Sequence, residues 1–233
     1  MKKHRFFIKT KITNQDEIVV TEENIIHQMK DVLRLRTGDP VILLDGEGKE
    51  YHGTIKLLIK KESIISKEII KNNVFNPIKN ITLASAMIKK DKYEWVLQKG
   101  TELGVSRFTP IITDRTEKTK VNMDRADKIT REASEQSERG SLPIIDVPQD
   151  LESFVSGCTT KIICFTQDGS SFSASNYDDV HDIVIIVGPE GGFSEKDSEI
   201  FKKYNVECVS LGNQILRAET AAIIAPALFL LNK

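Results

Sequence analysis

The chain has no excess of charge of either sign: 33 Lys and Arg stand against 34 Asp and Glu in 233 residues, a formal net charge of −1. That balance excludes the global basic field of a non-specific nucleic-acid binder, so any contact with phosphates has to be a local patch. Cysteine is scarce. Cys158, Cys164 and Cys208 are odd in number, lie in apolar contexts and lack metal-ligand spacing, which argues against a disulfide framework and against zinc. They fit small core residues in a reducing, cytoplasmic compartment. Long apolar runs are missing as well. Ala221 to Leu231, the longest, is too short to span a bilayer, and the run Phe6-Phe7-Ile8 after the basic start is too short for a signal peptide. Neither GxxxxGK[ST] nor GxGxxG occurs, so phosphoryl transfer and dinucleotide redox chemistry lose their usual loops. His4, His27, His52 and His181 are scattered and pair with no nucleophile motif, which leaves a hydrolase triad without support.

What is present falls into two parts. From Arg5 to about Lys71 short extended runs dominate. Arg5 to Lys9, Val41 to Leu44, Tyr51 to Ile59 and Ile64 to Ile70 read as strands, with turns at Thr37-Gly38-Asp39-Pro40 and Asp45-Gly46-Glu47-Gly48. Thr21 to Leu35 carries Ile25, Ile26, Met29, Val32 and Leu33 at helical spacing, with Thr21 as its expected cap. Several short strands with tight turns argue for a small β-barrel, and the turn-rich stretch Asn72 to Pro77 places a domain boundary between 1–72 and 73–233. Beyond it strands alternate with helices: Ile81 to Met87, then a helix Asp91 to Leu103 stopped by Gly104, a strand Val105 to Ile112, and a helix Met123 to Arg139. Ile144 to Val147, Leu151 to Ser156 and Lys161 to Phe165 continue the alternation. This is the pattern of an α/β domain with a mainly parallel sheet, in which ligands sit at the carboxyl ends of strands.

Two such ends lie in the last quarter. Ile183 to Val187 runs into Gly188-Pro189-Glu190-Gly191-Gly192-Phe193, and Val206 to Leu211 runs into Gly212 and Ile215-Leu216-Arg217-Ala218-Glu219-Thr220-Ala221. Glycines let bare backbone approach a ligand, and Ser194 with Asp197 forms a capping box that starts a helix whose free N–H groups suit an anion. The last helix, Glu219 to Leu231, is apolar all round and interrupted by Pro226. It needs cover on more than one side, supplied either by a second copy of the chain, the preferred cover, or by the interior of a monomer.

These residues resemble a known family. Gly188 to Ser194 and Leu211-Gly212-x-x-Ile215-Leu216-Arg217-x-Glu219-Thr220-Ala221 resemble two signatures of the RsmE family of ribosomal RNA methyltransferases, in the SPOUT superfamily. Lys89-x-Asp91-Lys92-x-Glu94-Trp95, with Gln98-Lys99 and Thr101 to Gly104, resembles a third, and Glu132-Ala133-x-Glu135-Gln136-Ser137-x-Arg139 a fourth. His4-Arg5-Phe6-Phe7, Leu33-Arg34 to Gly38-Asp39 and Asp45-Gly46 match the N-terminal pattern, so the resemblance covers nearly the whole chain in order. Gly100, where the family usually has alanine, the loop Arg115 to Val121 and Pro226 depart from it.

The resemblance implies an α/β protein with an N-terminal PUA-like β-barrel and a SPOUT-type domain tied in a C-terminal trefoil knot. It implies a homodimer, S-adenosylmethionine as cofactor, no metal, and N3-methylation of a uridine in 16S ribosomal RNA, free or in the small subunit. The cofactor site then comprises Val187, Gly188, Glu190, Gly191, Gly192, Leu211, Gly212, Ile215, Leu216 and Arg217, held by backbone without a phosphate grip. Arg217 is expected to stabilise the uracil anion at a carbonyl oxygen. Glu190 either removes the N3 proton or pins its loop by hydrogen bonds to neighbouring N–H groups, and the pinning role is favoured. Arg5, Lys9, Arg34, Lys89, Lys92 and Arg139 are the candidate RNA contacts, although by composition the basic residues of the first part also suit a solvated surface. A ribose 2'-O-methyltransferase of the same superfamily would be expected to carry an early Asn-x-x-Arg and Ser-Leu-Asn-Val-Ser in place of Ile215 to Glu219. A non-catalytic RNA-binding module would need neither glycine loop.

Overall fold

The computed structural model describes residues 3–10, 12, 16–46, 48–72, 77, 79–117 and 120–231. The chain divides into two compact units, Met1–Asn76 with Ser134–Leu142, and Pro77–Ala133 with Pro143–Lys233.

The first unit contains strands β1 (His4–Phe7) and β2 (Glu17–Val20), helix α1 (Glu23–His27) continuing as a π-helical turn over Gln28–Val32, and strands β3 (Pro40–Leu44), β4 (Lys49–Leu58), β5 (Ser63–Ser66) and β6 (Ile69–Asn72). They form a six-stranded sheet in the order β1-β3-β4-β5-β2, with β6 on β4. Alternation decides which side chains face inward: β2 buries Ile18 and Val20 and exposes Glu17 and Val19. The core gathers Phe6, Val20, Met29, Leu43, Ile55 and Ile65 around that face. Gly53 lies where β4 leaves its pairing with β3 and β6 to meet β5, and a Cβ there would collide with the Ser66 carbonyl. Only glycine permits that approach.

Two expectations for this unit are corrected. Thr21 does not cap the helix, which is also shorter than Thr21 to Leu35. Glu22 is the N-cap, without a side-chain cap bond, because its carboxylate instead accepts from the backbone N–H groups of Lys9 (2.7 Å), Thr10 (2.9 Å) and Thr21 (3.2 Å). The single strand expected over Ile64 to Ile70 is two, since the Lys67 N–H turns to Asp16 O (2.7 Å) and the Glu68 N–H to His52 O (2.9 Å). Glu47 of the expected hairpin and residues 73–76 of the expected boundary lie outside the described residues.

The second unit follows the alternation expected of it. Strand β7 (Asn80–Ala86) leads to helix α2 (Lys90–Leu103), β8 (Arg107–Ile112), α3 (Met123–Gln136), β9 (Ile144–Ile145), β10 (Gln149–Asp150), α4 (Leu151–Gly157), β11 (Lys161–Ser171), a 3-10 turn, β12 (Asp182–Val187), α5 (Glu195–Lys203), β13 (Glu207–Ser210) and α6 (Ala218–Leu230). Every strand pairing is parallel, in the order β10-β8-β7-β12-β11-β13 with β9 on β8. Successive residues of β12 are buried on opposite faces. Ile183, Ile185 and Val187 join a core with Leu97, Phe108 and Ala222, whereas Val184 and Ile186 join one with Leu151, Val155 and Phe201.

Helix ends obey local chemistry. Gly104, at φ 108°, closes α2 in the left-handed conformation. Ser194 and Asp197 bond each other's backbone N–H in a capping box that opens α5. α3 stops at Gln136, short of the expected Arg139, because Glu138 turns left-handed (φ 61°) and the Arg139 N–H folds back to Ser134 O at 3.0 Å. α6 buries Ala222, Ala225, Pro226 and Phe229 within its own unit and packs against α2, leaving Ile224 exposed, as is the C-cap Leu231.

Candidate functional site

The parallel order sets β12 between β7 and β11, with β13 beyond, so the loops after these strands open on one edge. There lies a cleft of about 1070 Å³. Both glycine loops line it, and with them all ten residues expected to hold a cofactor, from Val187 and Gly188 to Leu216 and Arg217. Residues far apart in sequence are thus brought to one place. Lys89, from the β7–α2 connection, and Lys92, from the first turn of α2, line it as well.

The loop after β12 is built tightly. A Cβ on Gly188 would lie 3.0 Å from the Phe193 ring, which is itself fixed edge-on against Phe201 at 4.9 Å between centroids. Gly192 is left-handed, at φ 68°, and donates its N–H to Pro189 O at 2.9 Å. The Arg115 guanidinium then reaches over from the loop after β8 and donates from Nη1 to Gly191 O at 2.6 Å. Beside it the Asp114 N–H donates to Asp197 Oδ1 at 3.2 Å, and Lys196 Nζ lies 3.3 Å from the Asp114 carboxylate. Pinning of the glycine loop therefore falls to Arg115. Glu190, favoured above for that role, forms no hydrogen bond or salt bridge among the described residues, and its exposed side chain lines the cleft.

The loop after β13 turns at Gly212 (φ 127°), whose N–H is taken by Ser210 Oγ at 3.3 Å. Ile215 follows, 81% exposed within the cleft, then Arg217, the exposed N-cap of α6. Two residues on, the buried Glu219 carboxylate accepts from Lys92 Nζ at 2.8 Å, a bond that holds its pKa below the usual carboxylate range. This pair ties the start of α6 to α2.

A third segment completes the wall. β11 pairs with β13 as far as Phe165, then shifts register and resumes at Ser170, with Gly169 pressed against the Val209 backbone. The interruption puts Thr166, Gln167 and Asp168 on the cleft. Sequence reading ended this strand at Phe165 and so missed them, and it gave Arg115 no role. Arg115 follows the carboxyl end of β8, next to β7, whereas Thr166 to Asp168 lie at the register break within β11, next to β12.

The cationic residues expected to meet RNA divide. Lys9, Arg34 and Lys89 are exposed, and Arg34 is left-handed at φ 54°. Arg5 is not available for phosphate contact: it lies buried in an ion pair with Glu50, and loss of water lowers its pKa. Arg139, 2% exposed in Ser134–Leu142, is likewise interior, and burial brings its guanidinium down to about 10. Charge alone could not separate these two from the surface cations.

Residues 75–230 match the RNA methyltransferase domain family and residues 20–69 the RNA methyltransferase PUA domain family. The ribosomal RNA small subunit methyltransferase E of Rickettsia conorii is 34% identical over 97% of this chain and 95% of its own length. The chain belongs to the ribosomal RNA small subunit methyltransferase E family. The enzyme of that name from Bacillus subtilis is 32% identical over 95% of this chain and 93% of its own. Within the family, the crystal structure of the Neisseria gonorrhoeae protein, bound to S-adenosylmethionine, superposes with a TM-score of 0.89 at 26% identity, covering 97% of this chain and 96% of that one. The chain is thus a mixed α/β methyltransferase with a PUA-like domain. Among the described residues no group of His, Cys, Asp and Glu is arranged to hold a metal, and no helix is long and apolar enough to cross a membrane.

The cleft suits a nucleoside with an amino-acid tail. It offers an exposed aliphatic face at Ile215, loop backbone free of Cβ atoms at Gly188, Gly191 and Gly212, and a carboxylate at Glu190 with no internal partner.

Proposed function

We propose that this chain methylates N3 of a uridine in 16S ribosomal RNA, with S-adenosylmethionine held in the cleft between the two glycine loops. The observation that carries the reading is the convergence of both loops with Arg217 at one sheet edge, in a chain of this family. S-adenosylmethionine supplies a methyl group on a positively charged sulfur. The protein's task is to orient the base and manage one proton.

Uracil N3 is a poor nucleophile until its proton leaves, and the charge then spreads to the flanking carbonyl oxygens. Arg217, exposed at the N-cap of α6 and free of salt bridges among the described residues, offers a cation to such an oxygen. Its position depends on the start of α6, which Lys92 holds through Glu219. Glu190 has an uncommitted carboxylate able to take the N3 proton or to face the cofactor's positive charge. Lys9, Arg34, Lys89 and Lys92 are the RNA contacts we retain.

The same reading includes a PUA-like barrel over 1–72, a methyltransferase domain over 73–233 with a trefoil knot through its C-terminal part, a homodimer, the small subunit or its RNA as substrate, and a cytoplasmic setting. The exposed Ile224 on α6, its half-buried neighbours Ile223, Ala227 and Leu228, and the exposed Leu231 at the C-cap support the dimer.

The test is incubation with labelled S-adenosylmethionine and small subunits from a strain lacking the modification, followed by nucleoside analysis. Label in 3-methyluridine is expected; label in a 2'-O-methyl nucleoside would replace the reading. Arg217→Ala is expected to bind cofactor in calorimetry as the wild type does while losing transfer. An affinity that falls as far as the rate would make Arg217 a binding residue instead.

A further inference from the structure

A second concavity, of about 490 Å³, lies beside the cofactor cleft in the same unit, between the end of β7, α2 and the start of α3. Met87 and Ile88 line both, so the two are separated by one strand end. The inner walls are apolar: Ile88, Tyr93, Leu97, Val121 and Ala126. The rim is cationic. Lys90, Lys120 and Arg125 stand there with one carboxylate, Glu94, which takes Arg125 at 3.2 Å and Lys90 at 3.8 Å. Lys120 is exposed and forms no hydrogen bond or salt bridge among the described residues.

An apolar slot with a surplus of positive charge at its mouth matches a nucleotide. The flat face of a base buries against aliphatic and aromatic side chains, while its phosphates stay at the charged edge. An enzyme that acts on a base inside structured RNA must also draw that base from its stack, which leaves the neighbouring base without a partner. We propose that this concavity receives a base flanking the target uridine, with its phosphate against Lys120 and Lys90. The proposal rests on the methyltransferase reading above and adds a sequence-sensing subsite to it. Met87 and Ile88 would then act as the partition between target and flanking base.

The test fills the slot or inverts its rim, in the full-length protein. Val121 is partly buried in a non-helical segment and lines the slot, so Val121→Trp occupies the space, and Lys120→Glu reverses the charge. For wild type and both variants, cofactor affinity is measured by calorimetry, and KM and kcat for unmethylated small subunits by label transfer. Cofactor affinity is expected to stay within about twofold of wild type in both, which also reports an intact fold. KM for the subunit is expected to rise about tenfold in Val121→Trp, the scale of one lost base stack, with kcat little changed. Unchanged KM in both variants, with wild-type transfer intact, would overturn the subsite and leave the function standing. Absence of transfer by the wild type would instead sink the function. A change of oligomeric state in Val121→Trp, read by sedimentation, would overturn the subsite in favour of cover by a second copy of the chain.

Discussion

Arg115 offers the sharpest test of how the cofactor loop is organised. Its side chain is exposed and lies outside the core, yet its guanidinium donates to Gly191 O at 2.6 Å in the middle of the glycine loop. A hydrogen bond from a charged donor is worth about 1.5–3 kcal/mol when shielded, and solvent access reduces this one to roughly 1 kcal/mol. If that energy holds the loop in its binding shape, Arg115→Ala should weaken S-adenosylmethionine about fivefold by calorimetry. Global stability should move by no more than about 1 kcal/mol, the worth of the bond itself. The amides from Gly191 to Phe193 should exchange hydrogen faster in the cofactor-free variant, a change that direct contact between Arg115 and cofactor would not produce. The deficit should persist at high salt, because the acceptor is a carbonyl rather than an opposite charge. Unchanged affinity, or unchanged exchange alongside weaker binding, would refute pre-organisation by Arg115.

Two further outcomes follow from packing and from a thiol pair. A Cβ on Gly100 would lie 2.7 Å from Phe108 Cε1, so Gly100→Ala should lose about 1 kcal/mol in urea unfolding: overpacking of about 1–3 kcal/mol outweighs the helix-propensity gain of about 1. The loss should shrink in a Phe108→Leu background, and a Gly100→Ala protein more stable than wild type would contradict the geometry. Cys164 and Cys208 are register partners on β11 and β13, and a hydrogen bond from Cys164 brings the Cys208 thiol down to about 7. Alkylation of Cys208 by iodoacetamide should therefore accelerate as pH rises through about 7 and level off above it, the thiolate being the reactive form. In Cys164→Ala the inflection should move toward the ordinary thiol range, and an unmoved inflection would deny the bond.

Features written in contiguous residues were legible in the sequence. The two-faced burial of β12, the capping box at Ser194 and the stop at Gly104 all depend on neighbours within a few positions. What escaped depends on partners far along the chain. The Arg115 bond joins residues 76 positions apart, and nothing local in Asp114-Arg115-Thr116 announces it. Strand β2 is only four residues long and takes its place by pairing with β5, far along the chain. Arg5 read as a surface cation because pattern reports charge and not the carboxylate that will face it, here Glu50 in a different strand.

The first unit is not continuous in sequence. It takes Ser134–Leu142 from beyond most of α3, and that segment supplies the Glu135 carboxylate that accepts the Phe7 N–H at 3.2 Å. A ribosome adding about 5–20 residues per second needs roughly 3–13 s more to synthesise that segment after passing Asn76. All the parts of the N-terminal unit are therefore present only after β7, α2, β8 and most of α3 have been made. A gene fragment ending at Asn76 would lack that piece, so transplanting this RNA methyltransferase PUA domain onto another protein requires two junctions rather than one.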